Sequence, residues 1–246
     1  MRRLTLVLAA GIVGFVLSSQ ARGIAFARQD ALVKLLEPPM TVVAKMVAVE
    51  SWGPKFDALV QNFPAAAPLG AKWNTSAPGW QKARSAVGAR LTRLVDAYVA
   101  SGDLTERLQT ALAKNFPGDQ ADALLKVLTG PDGPTIIHSE ALVDFLVGAT
   151  RESEAKPGDK AYAMETRRLV LKFEEAIGSG IPRPDPAREK TAEKFHDDAM
   201  GTPFHLVWFS VLSRAETAIR GGINLMLFDD REAIVRDITQ AIATVK

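Results

Sequence analysis

Apolar residues recur with helical spacing along almost the whole chain, and this pattern most constrains what it can fold into. In the segment 80–100 they form one stripe, at Val87, Leu91, Leu94, Val95 and Tyr98. Later segments repeat the spacing, at Leu104, Leu108 and Leu112 and at Ile234, Ile238 and Ile242. Alternation with a period of two, which is typical of strands, is scarce. We therefore predict an all-α fold, an irregular multi-helix bundle.

Glycine and proline clusters divide this pattern into separate helices. They predict helices over 80–100, 120–128, 136–147, 161–177, 187–200, 203–212 and 230–245. A further helix begins near Asp103, which we expect to cap it. The run from Gly130 to Pro134 predicts a turn in which Gly133 can take a positive φ. Gly221-Gly222 predicts a helix break or a hinge.

Two segments read as connections rather than helices. Residues 64–79 are rich in Pro and Ala and predict a surface loop. Residues 181–186 carry three prolines at alternate positions and predict a stiff extended connector. The connector is either a hinge between two domains or a crossover within one. We favour a single helical domain over 22–246.

The first residues have the pattern of a cleaved signal peptide. Arg2 and Arg3 form a basic start, an uncharged apolar run follows over 4–17, and a small-x-small site ends at Ala21. A second such site ends at Ala27. The apolar run is short for a membrane span. We expect a signal peptide over 1–21, with residue 27 as the alternative end, and a periplasmic or secreted bacterial envelope protein.

Charge and composition exclude several kinds of protein. The chain has 30 basic and 28 acidic residues, and cleavage after Ala21 removes two arginines and no acid, so the mature chain has no net charge. A neutral chain lacks the field that attracts nucleic acid, and we predict no nucleic-acid partner. The chain has no cysteine, which excludes disulfides and thiolate metal sites. We predict no membrane-spanning segment in the mature chain.

One helix carries residues with the spacing of metal ligands. Glu189, Glu193 and His196 stand at i, i+4 and i+7 and share a helix face. Glu193-x-x-His196 matches the spacing of di-iron bundles, but those sites need a second Glu-x-x-His, which the chain lacks. We predict no metal or other cofactor, and these three residues are the candidates if a metal binds. His205, in an apolar run, is expected to be a core histidine.

A second motif lies after the apolar segment 42–49. The dipeptide Glu50-Ser51 resembles the Glu-Ser step of lytic transglycosylases, secreted helical enzymes that cleave peptidoglycan. That resemblance implies that Glu50 is a general acid with a raised pKa. The Gly-Leu-Met-Gln motif that follows in that family is absent from this chain.

A wider similarity covers residues 93–149. An amphipathic helix, a short helix and a Pro-x-Gly turn follow one another, and Pro131 and Gly133 form that turn. The segment resembles a family of secreted, all-helical bacterial proteins of unknown function with a Phe-Tyr-x-Ser-Pro-x-Gly turn. Three residues differ from the family pattern: Val127, Leu128 and Gly130. The resemblance implies a helical envelope protein and supplies no catalytic residues.

These observations favour a binding protein over an enzyme. We predict an exported, non-catalytic helical protein that binds a protein partner or a small apolar ligand. Phe204, Trp208 and Phe209 are the candidate lining of a ligand groove, although aromatic side chains more often fill a core. The alternative is a peptidoglycan-acting hydrolase with Glu50 as its general acid.

Overall fold

The computed structural model describes residues 2–151 and 156–244, with side chains from residue 29 onward. Every regular element in these ranges is a helix, which confirms the predicted all-α bundle. The α-helices are α1 (Arg2–Gln61), α2 (Pro78–Ala100), α3 (Asp103–Asn115), α4 (Asp119–Leu128), α5 (Gly133–Thr150), α6 (Lys160–Glu175), α7 (Glu189–His196), α8 (Gly201–Asp229) and α9 (Arg231–Ala243). Two short 3-10 helices span Pro64–Lys72 and Pro186–Arg188.

The predicted signal peptide falls where no side chain is described. Both of its expected ends, at residues 21 and 27, precede the first described side chain, at residue 29. Export therefore stays a prediction. In the described part of the chain, no helix offers an apolar run of the length that a bilayer demands.

The part of α1 after residue 29 lies at the centre of the bundle. It packs against α2, α3, α4, α5 and α8. Its apolar residues recur with helical spacing and are fully or almost fully buried: Leu32, Leu36, Met40, Val43 and Val47. Burying such a stripe removes apolar surface from water, which is the main source of the bundle's stability.

Several predicted boundaries are corrected by the structure. The helix predicted over 187–200 spans only Glu189–His196, after a 3-10 turn. Asp103 is the first residue of α3 rather than its cap, and Gly102, with a φ of 77°, occupies the cap position. The segment 64–79 is not an open loop, because Trp73 is buried and its indole nitrogen donates to the Val60 carbonyl at 2.9 Å.

Gly221 and Gly222 do not break α8, which continues through both. Gly222 faces α2, where a Cβ would lie 3.3 Å from the Leu94 side chain. The glycine therefore lets two helices approach closely, which is the second common use of this residue. A Gly-Gly pair is compatible both with a helix break and with close packing of two helices, so the sequence alone does not distinguish them.

The connector, residues 181–186, is tied to α5. Asp185 donates its backbone N–H to the Thr135 hydroxyl at 3.0 Å, and the His138 Nδ1 lies 3.2 Å from the Pro182 carbonyl. Before the connector, Gly178 donates to the Ile181 carbonyl at 2.8 Å. Asp185 is in an extended conformation, with φ −101° and ψ 111°, and Pro186, the last residue of the predicted connector, already begins the second 3-10 helix.

The turn before α5 depends on glycine for a different reason than the sequence suggests. Gly133 does not adopt a positive φ. Instead, a Cβ at this position would overlap the carbonyl oxygen of Leu128. The start of α5 therefore packs directly on the end of α4, and only a residue without a side chain fits between them.

We predict that Gly133→Ala lowers the free energy of unfolding by about 1–3 kcal/mol, because the turn must open to admit the methyl group. Gly221→Ala is the matched control: nothing lies within 4 Å of its Cβ, and alanine favours a helix interior, so we expect a gain of about 0.5–1 kcal/mol. Urea denaturation of both variants checks this. Equal effects of the two substitutions would contradict the packing argument.

Candidate functional site

Helix α5 is buried in the bundle and yet carries polar residues on its buried surface. It packs against α1, α4, α6, α7 and α8. Thr135, His138, Glu140 and Asp144 are all at most 7% exposed. Buried ionisable groups are rare and need partners or a function, so this helix is the first place to search for a site.

Two histidines meet the carboxylate of Glu140, which is completely buried. The Nδ1 of His205 lies 2.8 Å from the Glu140 Oε2, and the Nδ1 of His196 lies 3.1 Å from its Oε1. The centroids of the two imidazole rings are 5.7 Å apart. Helices α5, α7 and α8 supply one residue each. We call Glu140, His196 and His205 the Glu140 cluster.

The two histidines are brought together by a tight reversal between α7 and α8. Helix α7 ends at His196 and α8 begins at Gly201, where a Cβ would overlap the carbonyl oxygen of Phe195. Phe195 then packs edge to face on Phe204, with ring centroids 5.8 Å apart. The glycine therefore allows residues nine positions apart to face the same carboxylate.

The cluster is closed on one side and open on the other. Glu140 is 0% exposed, whereas the side chains of His196 and His205 are 31% and 35% exposed. Phe209, which is partly exposed, stacks beside the His205 ring at 6.5 Å. An ion in solution can therefore reach the imidazoles without passing through the core.

The cluster has the geometry that a single metal ion requires. One donor atom from each of the three residues lies within 4.8 Å of the other two. Two imidazole nitrogens and one carboxylate oxygen are ligands that suit Zn²⁺ and its neighbours in the first transition row. Without a metal, the Nδ1 of His205 hydrogen-bonds the Glu140 Oε2, whereas the Glu140 Oε1 accepts no hydrogen bond from any residue that the structure describes.

Asp144 lies one turn after Glu140 on the same helix and is 5% exposed. Neither of its oxygens accepts a hydrogen bond from any residue that the structure describes. Burial, and then the charge of Glu140, raise the pKa of Asp144 to about 7. Near neutral pH this side chain is therefore held close to its protonation midpoint.

A third buried acid continues the polar line. Glu216 of α8 accepts a hydrogen bond from Arg151 at 2.6 Å. Burial raises the pKa of Glu216, and the charges of Arg151 and Arg220 oppose that rise. Gly148 lies between Asp144 and Arg151 on α5, and a Cβ there would meet Glu216. Acidic groups thus follow one side of α5 from the cluster to Arg151.

The sequence identified one of the three cluster residues as a ligand candidate. His196 is in the cluster, but Glu189 and Glu193 are exposed on α7 and do not take part in it. Glu140 and His205 were missed as ligands. Glu140 is a buried acid and His205 a histidine in an apolar run that is 35% exposed, and only the packing of the helices shows that the two meet.

The three aromatic candidates for a ligand groove occupy two different environments. Phe204 and Trp208 are 0% and 1% exposed and pack on each other in the core, with ring centroids 5.8 Å apart. Phe209 alone is partly exposed, beside His205. Phe204 and Trp208 therefore belong to the core next to the Glu140 cluster, and the three residues do not line an open groove together.

The Glu50 side chain is 9% exposed and faces two cations of α6. It accepts hydrogen bonds from Arg168, at 2.8 Å, and from Lys172. Partial burial raises its pKa, but the hydrogen bonds and charges of Lys172 and Arg168 outweigh that effect and leave it lowered. A general acid needs a raised pKa, so this environment does not favour the hydrolase alternative.

Comparison of the chain with models of known protein families, with curated proteins and with solved structures finds no significant match. The Glu140 cluster is therefore the feature of this chain that most directly indicates a function.

The raised pKa of Asp144 makes a prediction about stability. The folded protein binds this proton more tightly than the unfolded chain, so wild type loses stability as pH rises from about 4 through about 7. We expect Asp144→Asn to escape this loss and to exceed wild type by up to about 4 kcal/mol at pH 8. Urea denaturation between pH 4.5 and 8, with EDTA present, measures the difference.

Asp229→Asn is the control, because Asp229 is exposed at the end of α8. Its difference from wild type should change little over the same range. A difference for Asp144→Asn that does not grow with pH would show that Asp144 is not held protonated by its surroundings.

Proposed function

We propose that this chain is an exported helical protein that binds one divalent transition-metal ion through Glu140, His196 and His205. The observation that carries the proposal is the convergence of two imidazole nitrogens, at 2.8 and 3.1 Å, on a carboxylate with no exposed surface. The proposed role is binding rather than catalysis, and Zn²⁺ is the ion that we use to test it.

The donor set supports this class of ion. Imidazole nitrogen binds Zn²⁺, Cu²⁺ and Ni²⁺ well, whereas Ca²⁺ and Mg²⁺ prefer sites made of oxygens alone. Three protein ligands leave a fourth tetrahedral position for water or for a group on a partner. The partly exposed faces of His196 and His205 place that fourth position towards solvent.

The competing interpretation is a hydrogen-bonded cluster that only stabilises the core. A buried carboxylate is costly unless it is paired, and the hydrogen bond from His205 offsets part of that cost, while the Oε1 of Glu140 accepts no hydrogen bond from any described residue. The two interpretations differ in one measurable property, because only a metal site has saturable affinity for an ion. The unsatisfied Oε1 of Glu140 and the partly exposed position of both histidines favour the metal site, since the one needs a partner and the other lets an ion from solution reach the imidazoles.

We expect the protein, stripped with EDTA, to bind one Zn²⁺ per chain in isothermal titration calorimetry. Glu140→Gln, His196→Ala and His205→Ala should each weaken the affinity roughly 100-fold or more, because each removes a ligand. Zn²⁺ at 100 times its dissociation constant should also stabilise the wild-type fold by about 2.7 kcal/mol.

Two control variants test whether loss of Zn²⁺ binding is specific to the Glu140 cluster. His138→Ala removes the remaining histidine of the chain and should retain Zn²⁺ binding, as should the double variant E189Q/E193Q. Circular dichroism verifies that each variant is helical, and His205→Ala is informative even if Glu140→Gln unfolds. Absence of saturable Zn²⁺ binding in the wild type would refute the proposal, as would unchanged affinity in all three ligand variants.

Export is the second part of the proposal and has its own test. When the full chain is produced in a bacterium, we expect it in the envelope or medium with Arg22 as its first residue. Intact mass spectrometry reads the cleavage site, and an N-terminus at Arg28 would identify Ala27 as the end of the signal peptide instead. Ala21→Asp should block cleavage after residue 21. An intact chain retained in the cytoplasm would contradict export.

A further inference from the structure

A groove lies beside the first turns of α5, at Pro134 and Ile137. It is formed by the segment of α1 around Pro38, the α4–α5 junction and the connector, and has a volume of about 480 Å³. This volume is within the range of small-molecule sites. Its apolar lining consists of aliphatic side chains and prolines, among them Leu35, Pro39, Leu128, Ile137, Ile177 and Ile181.

The walls of the groove are held in place by contacts already present in the fold. Gly180 has a φ of 116°, and a Cβ there would lie 2.9 Å from the Val42 side chain and 3.2 Å from the Pro38 carbonyl. The chain before the connector therefore lies directly on α1. His138 fixes the Pro182 carbonyl on the other side, at 3.2 Å. A preformed groove of this kind needs little ordering to accept a ligand.

The charges that line the groove all have the same sign. Lys34 lies on the α1 side and Arg183 on the connector side, and no acidic residue lines the groove. Neither cation takes part in an ion pair with any residue that the structure describes. Two exposed cations above an aliphatic surface form a surface complementary to an anion with a hydrocarbon tail.

We propose that this groove binds a free amphiphilic monoanion, a carboxylate on a flexible aliphatic chain such as a medium-chain fatty acid. The aliphatic lining removes the chain from water. Lys34 and Arg183 pair with the carboxylate at the rim, where Arg offers two parallel N–H donors. The lining shares no residue with the Glu140 cluster, so the inference does not depend on the metal proposal.

The test uses dodecanoate as the probe, with dodecyltrimethylammonium as a ligand of the same chain length and opposite charge. We expect dodecanoate to bind the full protein at one site in isothermal titration calorimetry, and more tightly than the cation. The double variant K34E/R183E should weaken dodecanoate at least about tenfold and reverse the preference between the two ligands, because it turns two attractions into two repulsions. Both residues are exposed, so the variant should fold.

The matched control is K82E/R93E, which makes the same change in charge on exposed residues of α2 that do not line the groove. It should bind dodecanoate as wild type does. All titrations contain EDTA, so that no metal ion takes part. His205→Ala, which lacks one cluster residue, should bind dodecanoate as wild type does. The result therefore does not depend on whether the Glu140 cluster binds a metal. No dodecanoate binding by wild type, equal binding of both ligands, or equal losses in the two double variants would each overturn the inference.

Discussion

The buried carboxylate of Glu140 is the constraint on which the arrangement of α5, α7 and α8 depends. An ionised group with no exposed surface is stable only when other groups compensate the lost hydration. Here His205 hydrogen-bonds one carboxylate oxygen at 2.8 Å, and the His196 imidazole lies 3.1 Å from the other, which accepts no hydrogen bond from any described residue. The reversal at Gly201 and the aromatic packing of Phe204 hold those two helices where the imidazoles can reach.

Helix α5 buries three ionisable residues, His138, Glu140 and Asp144, among side chains that are mostly apolar. Along one side of the helix, Glu140 is paired, Asp144 has no hydrogen-bond partner among described residues, and Arg151 pairs with Glu216. Burial, and then the negative charge of Glu140, raise the pKa of Asp144. An ionised Asp144 in this position lowers stability, and groups with such shifted pKa values are common at functional sites.

The fold could be predicted from the sequence much further than the site. Local periodicity at Val87 to Tyr98 and at Leu104 to Leu112 reports which face of a helix is buried, and those helices are confirmed. The roles of the glycines were harder to predict, because Gly133, Gly201 and Gly222 allow close packing against residues that the sequence does not identify. His196 was paired with Glu193 on its own helix, since spacing along one helix is the only proximity that a sequence displays. The partners Glu140 and His205 depend on packing between helices, and the single-sequence pattern contains no such information.

The central place of α1 has a consequence for how the chain reaches its folded state. Its stripe from Leu32 to Val47 packs on α5 and on α8, whose first residues lie some hundred or more positions later in the chain. Contacts this distant in sequence slow folding and form only after most of the chain is available. Until then the part of the stripe that α5 and α8 cover stays exposed to solvent. A chain built in this way completes its core only when the last of these helices has been added.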